Sequence, residues 1–382
     1  MSPTHPKSVG SCQIVELLGK GGMAEVFRGR QEGLDRPVAI KAILPELKGE
    51  AEALERFRRE ALALAALQHE NIVAVHDLLE KNGRLYLIME LVDGVDLAGL
   101  LGRGPLPVDV ALVVGLALAQ ALGHAHFRRV VHRDVKPSNV MLSRQGVVKL
   151  TDFGIAKDLT LDDLTRRGLV VGTLQYLAPE QVLGQRADPR SDLYSLGVLL
   201  YEVLSGARPY RAPEQADLLR AIVQGRRRPL REVAPRVPRA LAMVIERCLE
   251  LDPARRYQRA SDLARDLGRL LGAVLEGSPA ARLVAFLGER DALGERDLTL
   301  LAPEELEASR PAARPETVLA ASHFEPGWSP GRRRGRLLRP LLWTVAALAL
   351  SFLLAAGAAR LWPGPAAAAL RAAADLVQAA GS

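Results

Sequence analysis

Val131-His132-Arg133-Asp134-Val135-Lys136-Pro137-Ser138-Asn139-Val140, followed after a short hydrophobic run by Asp152-Phe153-Gly154, decides how this chain is read. An acid, a lysine and an asparagine fall within six positions, and a second acid lies eighteen residues past the first. That pattern describes a metal-and-phosphate site. Phosphoryl transfer asks a protein mainly to position and neutralise a group whose oxygens already carry negative charge. Asp134 can accept the proton of an attacking hydroxyl, and Lys136 can balance charge on the moving phosphoryl. Asn139 and Asp152 offer hard oxygen ligands suited to Mg²⁺. Either motif alone would pass for a solvated loop tip; their order and spacing together carry the reading.

With 382 residues, the chain has room for a domain of about 250 residues plus accessory segments. Its formal charge of +7 comes from scattered arginines interleaved with acids, so a nucleic-acid partner is not expected. Gly331-Arg332-Arg333-Arg334-Gly335-Arg336 is the one dense basic run. Cys12 and Cys248 are the only cysteines, which fits a reducing compartment and no disulfide framework. Met1 to Val9 lacks the apolar run of a cleavable signal. Leu341 to Ala359 carries nineteen residues without a charge, between Arg339 and Arg360, with Trp343 and Trp362 near its edges. As a helix it reaches about 28 Å, close to the hydrocarbon thickness of a bilayer. The arginines on its amino-terminal side place the preceding residues in the cytoplasm. A single-pass membrane protein with the lipid bilayer as partner is expected, with residues 360–382 as a short extracytoplasmic tail.

Gln13 to Gly19 alternates as a strand does and runs into Gly19-Lys20-Gly21-Gly22-Met23-Ala24-Glu25-Val26-Phe27. Glycines there let backbone N–H groups approach phosphate oxygens closely. Val38-Ala39-Ile40-Lys41 reads as a strand carrying a lysine among apolar neighbours. Ala51 to Leu67 has helical apolar spacing, with Glu60 placed to turn inward and hold Lys41. Ile72 to Leu79 and Arg84 to Glu90 read as strands joined by Lys81-Asn82-Gly83, and Asp93-Gly94 marks a hinge. Beyond it the pattern turns helical: Val108 to Arg128 as a core helix, then Asp192 to Leu204, Arg239 to Glu250 and Ser261 to Leu271. Val147 to Leu150 is a short strand delivering Asp152. Ile155 to Leu177 is a loop of about twenty residues, a length usually kept for function. Glu276 to Pro330 reads as a tether with weak helical patches, one of them at Pro279 to Leu287.

The glycine-rich loop, Val38-Ala39-Ile40-Lys41, Glu60, His132-Arg133-Asp134, Asn139, Asp152-Phe153-Gly154 and Ala178-Pro179-Glu180 stand in the order of the protein-kinase signature. The chain resembles a eukaryotic-like (Hanks-type) Ser/Thr protein kinase of the bacterial membrane-anchored branch over residues 13–275. The fold this implies is α+β and bilobal. A β-rich N-lobe with one key helix spans residues 13–92, and a helical C-lobe spans 93–275. A juxtamembrane linker (276–340) and one C-terminal transmembrane helix (341–359) in the bacterial inner membrane follow.

The resemblance implies ATP and Mg²⁺ as cofactors and protein Ser/Thr hydroxyls as acceptors. It implies that Gly19, Lys20, Gly21 and Gly22 cover the phosphates, and that Val26, Ala39 and Met141 sandwich the adenine. Hinge positions Met89, Glu90 and Val92 meet the base, and Asp96 the ribose. Leu64, Val75, His132 and Phe153 are expected to stack, Asp192 to brace the catalytic loop, and Arg256 to pair with Glu180. Lys136 and Thr173 both approach Asp134, as in the serine/threonine version. Thr165 is the expected autophosphorylation site, with Thr160 as the alternative. A pseudokinase scaffold and a small-molecule kinase are the competing readings. The retained Lys41, Glu60, Asp134, Asn139 and Asp152 speak against the first, and Ala178-Pro179-Glu180 against the second. Whether two copies pair as a homodimer is left open.

Overall fold

The computed structural model describes residues 6–21, 24–43, 58, 61–154 and 174–292. Strands β1 (Ser8–Val9), β2 (Cys12–Lys20), β3 (Ala24–Gln31), β4 (Arg36–Ile43), β5 (Val75–Lys81) and β6 (Arg84–Glu90) form one antiparallel sheet, in the order β1-β2-β3-β4-β6-β5. Alternation along β4 divides its two faces. Val38, Ile40 and Ala42 pack with Phe27, Tyr86 and Ile88, whereas Ala39 packs with Val73, Leu87 and Met89 on the opposite side. Lys41 shares the parity of Ala39 and sits in register with Val26 and Leu87, so its stem leaves the sheet on the Ala39 side. Of the helix expected over Ala51 to Leu67, residues 61–65 are helical, and Ala61 and Leu64 are buried.

The sequence predicts a strand at Ile72 to Leu79, but the ladder begins at Val75 and runs to Lys81. Ile72 and Val73 are drawn elsewhere. Ile72 forms an isolated parallel bridge with Leu150, and Val73 N donates to the Leu150 carbonyl at 3.0 Å. In a second small sheet, β7 (Gly94–Asp96), β8 (Val140–Ser143) and β9 (Val148–Leu150), β8 directly follows Asn139 and β9 ends two residues before Asp152. Gly94 is required there, because a Cβ at that position would lie 2.1 Å from the Leu142 carbonyl oxygen.

The helical part begins with α1 (Leu97–Leu101) and is organised around α2 (Val108–Phe127). Alanines and leucines favour the helix, and leucines such as Leu112, Leu118 and Leu122 are fully buried along it. Each such leucine contributes roughly 1.5–3 kcal/mol relative to exposure. Helix α3 (Pro179–Val182) leads into α4 (Pro189–Ser205), which is capped by Asp188 on the Arg190 amide and ended by Gly206 at φ 71°. Helices α5 (Gln215–Gln224), α6 (Leu230–Val233), α7 (Arg239–Cys248) and α8 (Ala260–Val274) complete the lobe. Among the described residues, α2 is the one helix long and apolar enough to cross a membrane, and most of it is covered by its own lobe.

The fold continues past residue 275, where the sequence suggests only a weak helical patch within a tether. Helix α9 (Pro279–Glu289) buries Leu283, Phe286 and Leu287 in the same core as α2. Its Arg282 meets Asp109 of α2 at 2.5 Å, with side chains 4% and 1% exposed. A partner 173 positions away leaves no trace in local periodicity. The expected transmembrane segment 341–359 and the tail 360–382 lie outside the described residues.

Candidate active site

The catalytic segment is a loop held by a buried carboxylate. Asp192, near the start of α4 and 1% exposed, accepts the backbone N–H groups of His132 and Arg133, both at 2.8 Å. Its Oδ2 also meets His126 Nε2 at 2.8 Å. Arg133 is thereby fixed at φ 64°, a left-handed conformation that costs a non-glycine residue about 1–3 kcal/mol and persists only where its surroundings impose it. His132 is wholly buried. Its Nε2 faces the Thr151 carbonyl at 3.0 Å, and its Nδ1 accepts the Asp134 N–H at 3.2 Å. Burial holds this imidazole below its ordinary pKa, against the pull of Asp192 and Asp134. The neutral ring, donating through Nε2 and accepting through Nδ1, satisfies both contacts.

Asp134, Lys136 and Asn139 converge as the spacing anticipates. Lys136 Nζ lies 3.0 Å from Asp134 Oδ2. Asn139 Nδ2 donates to the Asp134 carbonyl at 2.9 Å and to its Oδ2 at 3.1 Å. The amide nitrogen is thus committed to orienting the acid, and Oδ1 is the atom left to act as a ligand. Asn139 belongs to a single 3-10 turn, Pro137–Asn139, and its carbonyl accepts the Thr151 N–H at 2.9 Å. That bond ties the loop to the segment bearing Asp152.

Asp152 follows β9 at φ 57° and receives Lys41 Nζ from β4 at 2.8 Å. Burial would raise the Asp152 pKa, but Lys41, together with His132 and Lys136, holds the carboxyl below the usual range. A cavity lies beside this pair, lined by Lys41, Leu64, Val75, Met89, Asp152 and Phe153. The rings of Phe153 and His132 are 4.4 Å apart between centroids. Leu64, Val75, His132 and Phe153 are therefore brought to one place.

The β2–β3 hairpin sets Gly19 against Val26 and Lys20 against Glu25, with the Gly21 amide donating to the Ala24 carbonyl at 2.8 Å. Ala39 and Met89 are buried cross-strand partners, Val26 is half-buried, and Val92 packs against the cluster that holds both. Met141, also half-buried, lies on β8 opposite Asp96 and Lys149. At the hinge, the Glu90 carboxylate takes Lys149 Nζ at 2.7 Å, and its amide bonds to the Ala74 carbonyl at 2.9 Å. Asp96 uses Oδ1 to cap α1 through the Gly99 amide at 2.9 Å. Lower in the lobe, Arg256 grips Glu180 through two bonds of 2.7 and 2.8 Å. Burial opposes ionisation of Glu180, yet hydrogen bonds from Arg256 hold its pKa down. Gly22, Glu60, Thr160, Thr165 and Thr173 lie outside the described residues.

Sequence reasoning missed three supports of the site. His126 braces Asp192, Asn71 donates to the Val148 carbonyl at 2.9 Å, and Tyr176 and Arg208 both bond Glu202. His126 lies near the carboxyl end of α2, just ahead of the catalytic loop, so a second histidine close to His132 was the available signal. The other two depend on long-range packing.

A family model described as "Protein kinase domain" matches residues 12–266. A probable serine/threonine-protein kinase of Clostridium perfringens is 36% identical over 68% of this chain and 38% of its own length. The serine/threonine-protein kinase PrkC of Bacillus subtilis is 33% identical over 82% of the chain and 46% of its own length. The tyrosine-protein kinase MasK of Myxococcus xanthus is 38% identical over 73% of the chain and 46% of its own length. The chain thus spans less than half the length of these relatives. Among solved structures, the kinase domain of Mycobacterium tuberculosis PknI superposes with a TM-score of 0.57 at 29% identity, covering 70% of this chain and 99% of that one.

Proposed function

The chain belongs to the protein kinase domain family, and from that premise we propose that it transfers the γ-phosphoryl group of ATP to serine and threonine hydroxyls of proteins. The supporting observation is a meeting of charges. Lys41 of the sheet lobe and Asp152 of the helical lobe lie 2.8 Å apart, next to an acid, a lysine and an asparagine already bonded to one another. A pseudokinase scaffold would have no need to keep all five groups.

In this reading Asp134 takes the proton of the acceptor hydroxyl, and Asn139 and Lys136 hold its carboxylate in place. Lys41 and Lys136 are the cations at the reacting phosphates.

The donor set suits a hard divalent cation, since Asp152 supplies a carboxylate held ionised and Asn139 an amide oxygen whose nitrogen is already committed. Mg²⁺ held by those two residues and the phosphate oxygens would neutralise charge on the transferring group. The glycine-rich hairpin, Val26, Ala39, Met89 and Met141 would then enclose the nucleotide, and Glu90, Val92 and Asp96 would meet it at the hinge. The expected autophosphorylation at Thr165, or at Thr160, belongs to this proposal. So does anchoring of the chain in a membrane through Leu341 to Ala359, with the catalytic part in the cytoplasm.

Incubation with labelled ATP, Mg²⁺ and a generic basic protein, beside an Asp134→Asn control, tests the reading. Label on serine and threonine in the parent and none in the variant is expected. Equal label in both would leave the scaffold reading standing, and label confined to tyrosine would move the chain to the chemistry named for MasK.

A further inference from the structure

A second cavity opens beside the catalytic loop, lined by Leu101, Lys136, Ser138, Tyr176, Glu202 and Arg208 among others. It adjoins the acceptor site, because Lys136 borders it and also bonds Asp134 at 3.0 Å. The acid in its lining is fully engaged. Glu202 Oε1 takes Arg208 Nε at 3.0 Å, and Oε2 takes the Tyr176 hydroxyl. Arg208 also lies over the Tyr176 ring, 5.6 Å from its centroid. The Glu202 side chain is 12% exposed and that of Arg208 35% exposed, so the guanidinium rather than the carboxylate faces the opening.

We propose that this cavity receives an anionic side chain of the acceptor protein, next to the residue being phosphorylated, and that Arg208 is the group that selects it. The inference rests on the kinase reading. A guanidinium carries five N–H donors in a planar fork matched to carboxylate and phosphate oxygens; Glu202 takes the Nε edge and Tyr176 one further contact, fewer than the donors available. The Glu202 contact and the Tyr176 ring fix the guanidinium's orientation, so little side-chain freedom remains to be lost on binding. A basic acceptor residue would meet this fixed cation instead, while the acid that could have attracted it is already satisfied. Aspartate or glutamate and a previously phosphorylated serine share the required chemistry, and the test separates them.

The experiment measures peptide affinity on the full chain carrying Asp134→Asn, so that the result does not depend on turnover. Serine peptides carry glutamate, phosphoserine, glutamine or arginine at each of the three positions on either side of the acceptor. At one position, glutamate or phosphoserine is expected to bind about five- to tenfold more tightly than glutamine, with arginine weakest. Tight binding by phosphoserine alone would assign the cavity to already phosphorylated proteins. Arg208→Ala should abolish the preference and, by exposing Glu202, favour arginine at the same position. Arg208→Lys, which keeps the charge without the fork, should retain the order with a smaller margin and decides the matter if the alanine variant melts early. An arginine peptide bound most tightly by the parent, one ranking shared by the parent and Arg208→Ala, or an undiminished margin in Arg208→Lys overturns the proposal. Failure of the kinase reading would show separately, as absence of phosphoryl transfer by the unmutated chain.

Discussion

The backbone N–H of Asp134 donates to Nδ1 of His132 at 3.2 Å, which ties this aspartate to the protonation state of a buried ring. A proton on Nδ1 would set N–H against N–H and remove the acceptor.

His132 has its pKa lowered by burial from an ordinary value of 6.5. A histidine kept neutral in the folded state binds fewer protons than in the unfolded chain once pH falls below 6.5. Stability is therefore complete above that pH and falls below it, by at most about 1.4 kcal/mol per pH unit until the depressed folded value is reached. Urea titrations at pH 7.5, 6.5 and 5.5 should show this loss. His132→Phe should flatten its own contribution to the slope, and an unchanged slope would contradict the assignment.

Asp152 holds Lys41, and both belong to the proposed nucleotide site. Mg²⁺ with ATP at about a hundredfold excess over its dissociation constant should stabilise the folded chain by about 2.7 kcal/mol. Thermal melting should show the shift in the parent, and Asp152→Asn should lose most of it. An equal shift from ATP with chelator would remove the metal from the argument.

Asp134→Asn and Lys41→Met are expected to cut phosphoryl transfer by about 10²–10⁴-fold and 10²–10³-fold respectively. Melting temperatures should move little for Asp134→Asn, whose side chain still accepts from Asn139. Steady-state rates on a protein acceptor check this, and retention of more than a tenth of the parent rate would displace Asp134 from its role.

Arg256 is buried and bonds Glu180 through both terminal nitrogens, with further bonds to the Glu250, Arg190 and Leu251 carbonyls. Glu180→Ala strands that cation and should cost about 3–5 kcal/mol. At roughly 2–4 °C per kcal/mol for a domain of this size, melting should fall by about 6–20 °C.

Arg282 and Asp109 form a second buried pair, between α9 and α2. Arg282→Ala should destabilise by a similar amount, about 3–5 kcal/mol, and the double change Arg282→Met with Asp109→Leu should recover much of it. Ending the chain at residue 275 should destabilise the catalytic lobe, read by urea midpoint, because Leu283, Phe286 and Leu287 leave its core.

Much of the site was legible because its chemistry is local in sequence. Asp134, Lys136 and Asn139 lie within six residues, the last of them closing the Pro137–Asn139 turn, so their mutual bonds are local in sequence. Asp152 was legible from the strand that delivers it, and Arg84 to Glu90 from the turn signal before it; the strand has those bounds and is buried along nearly its whole length. What local pattern could not give was pairing across the fold. The edge strand starts at Val75 because Ile72 and Val73 bond to Leu150, and α9 is held by a residue 173 positions earlier. The Glu202–Arg208 pair was invisible for a related reason, since a glutamate six residues before an arginine has no periodic signature.

The bridge from Ile72 to Leu150 has a mechanical corollary. With Val73 and Asn71 bonded to the same strand, the sheet lobe is stitched to the helical lobe one residue from Thr151 and two from Asp152. Asp152 therefore stands beside a point where the two lobes share backbone hydrogen bonds, whereas Lys41 reaches it from β4.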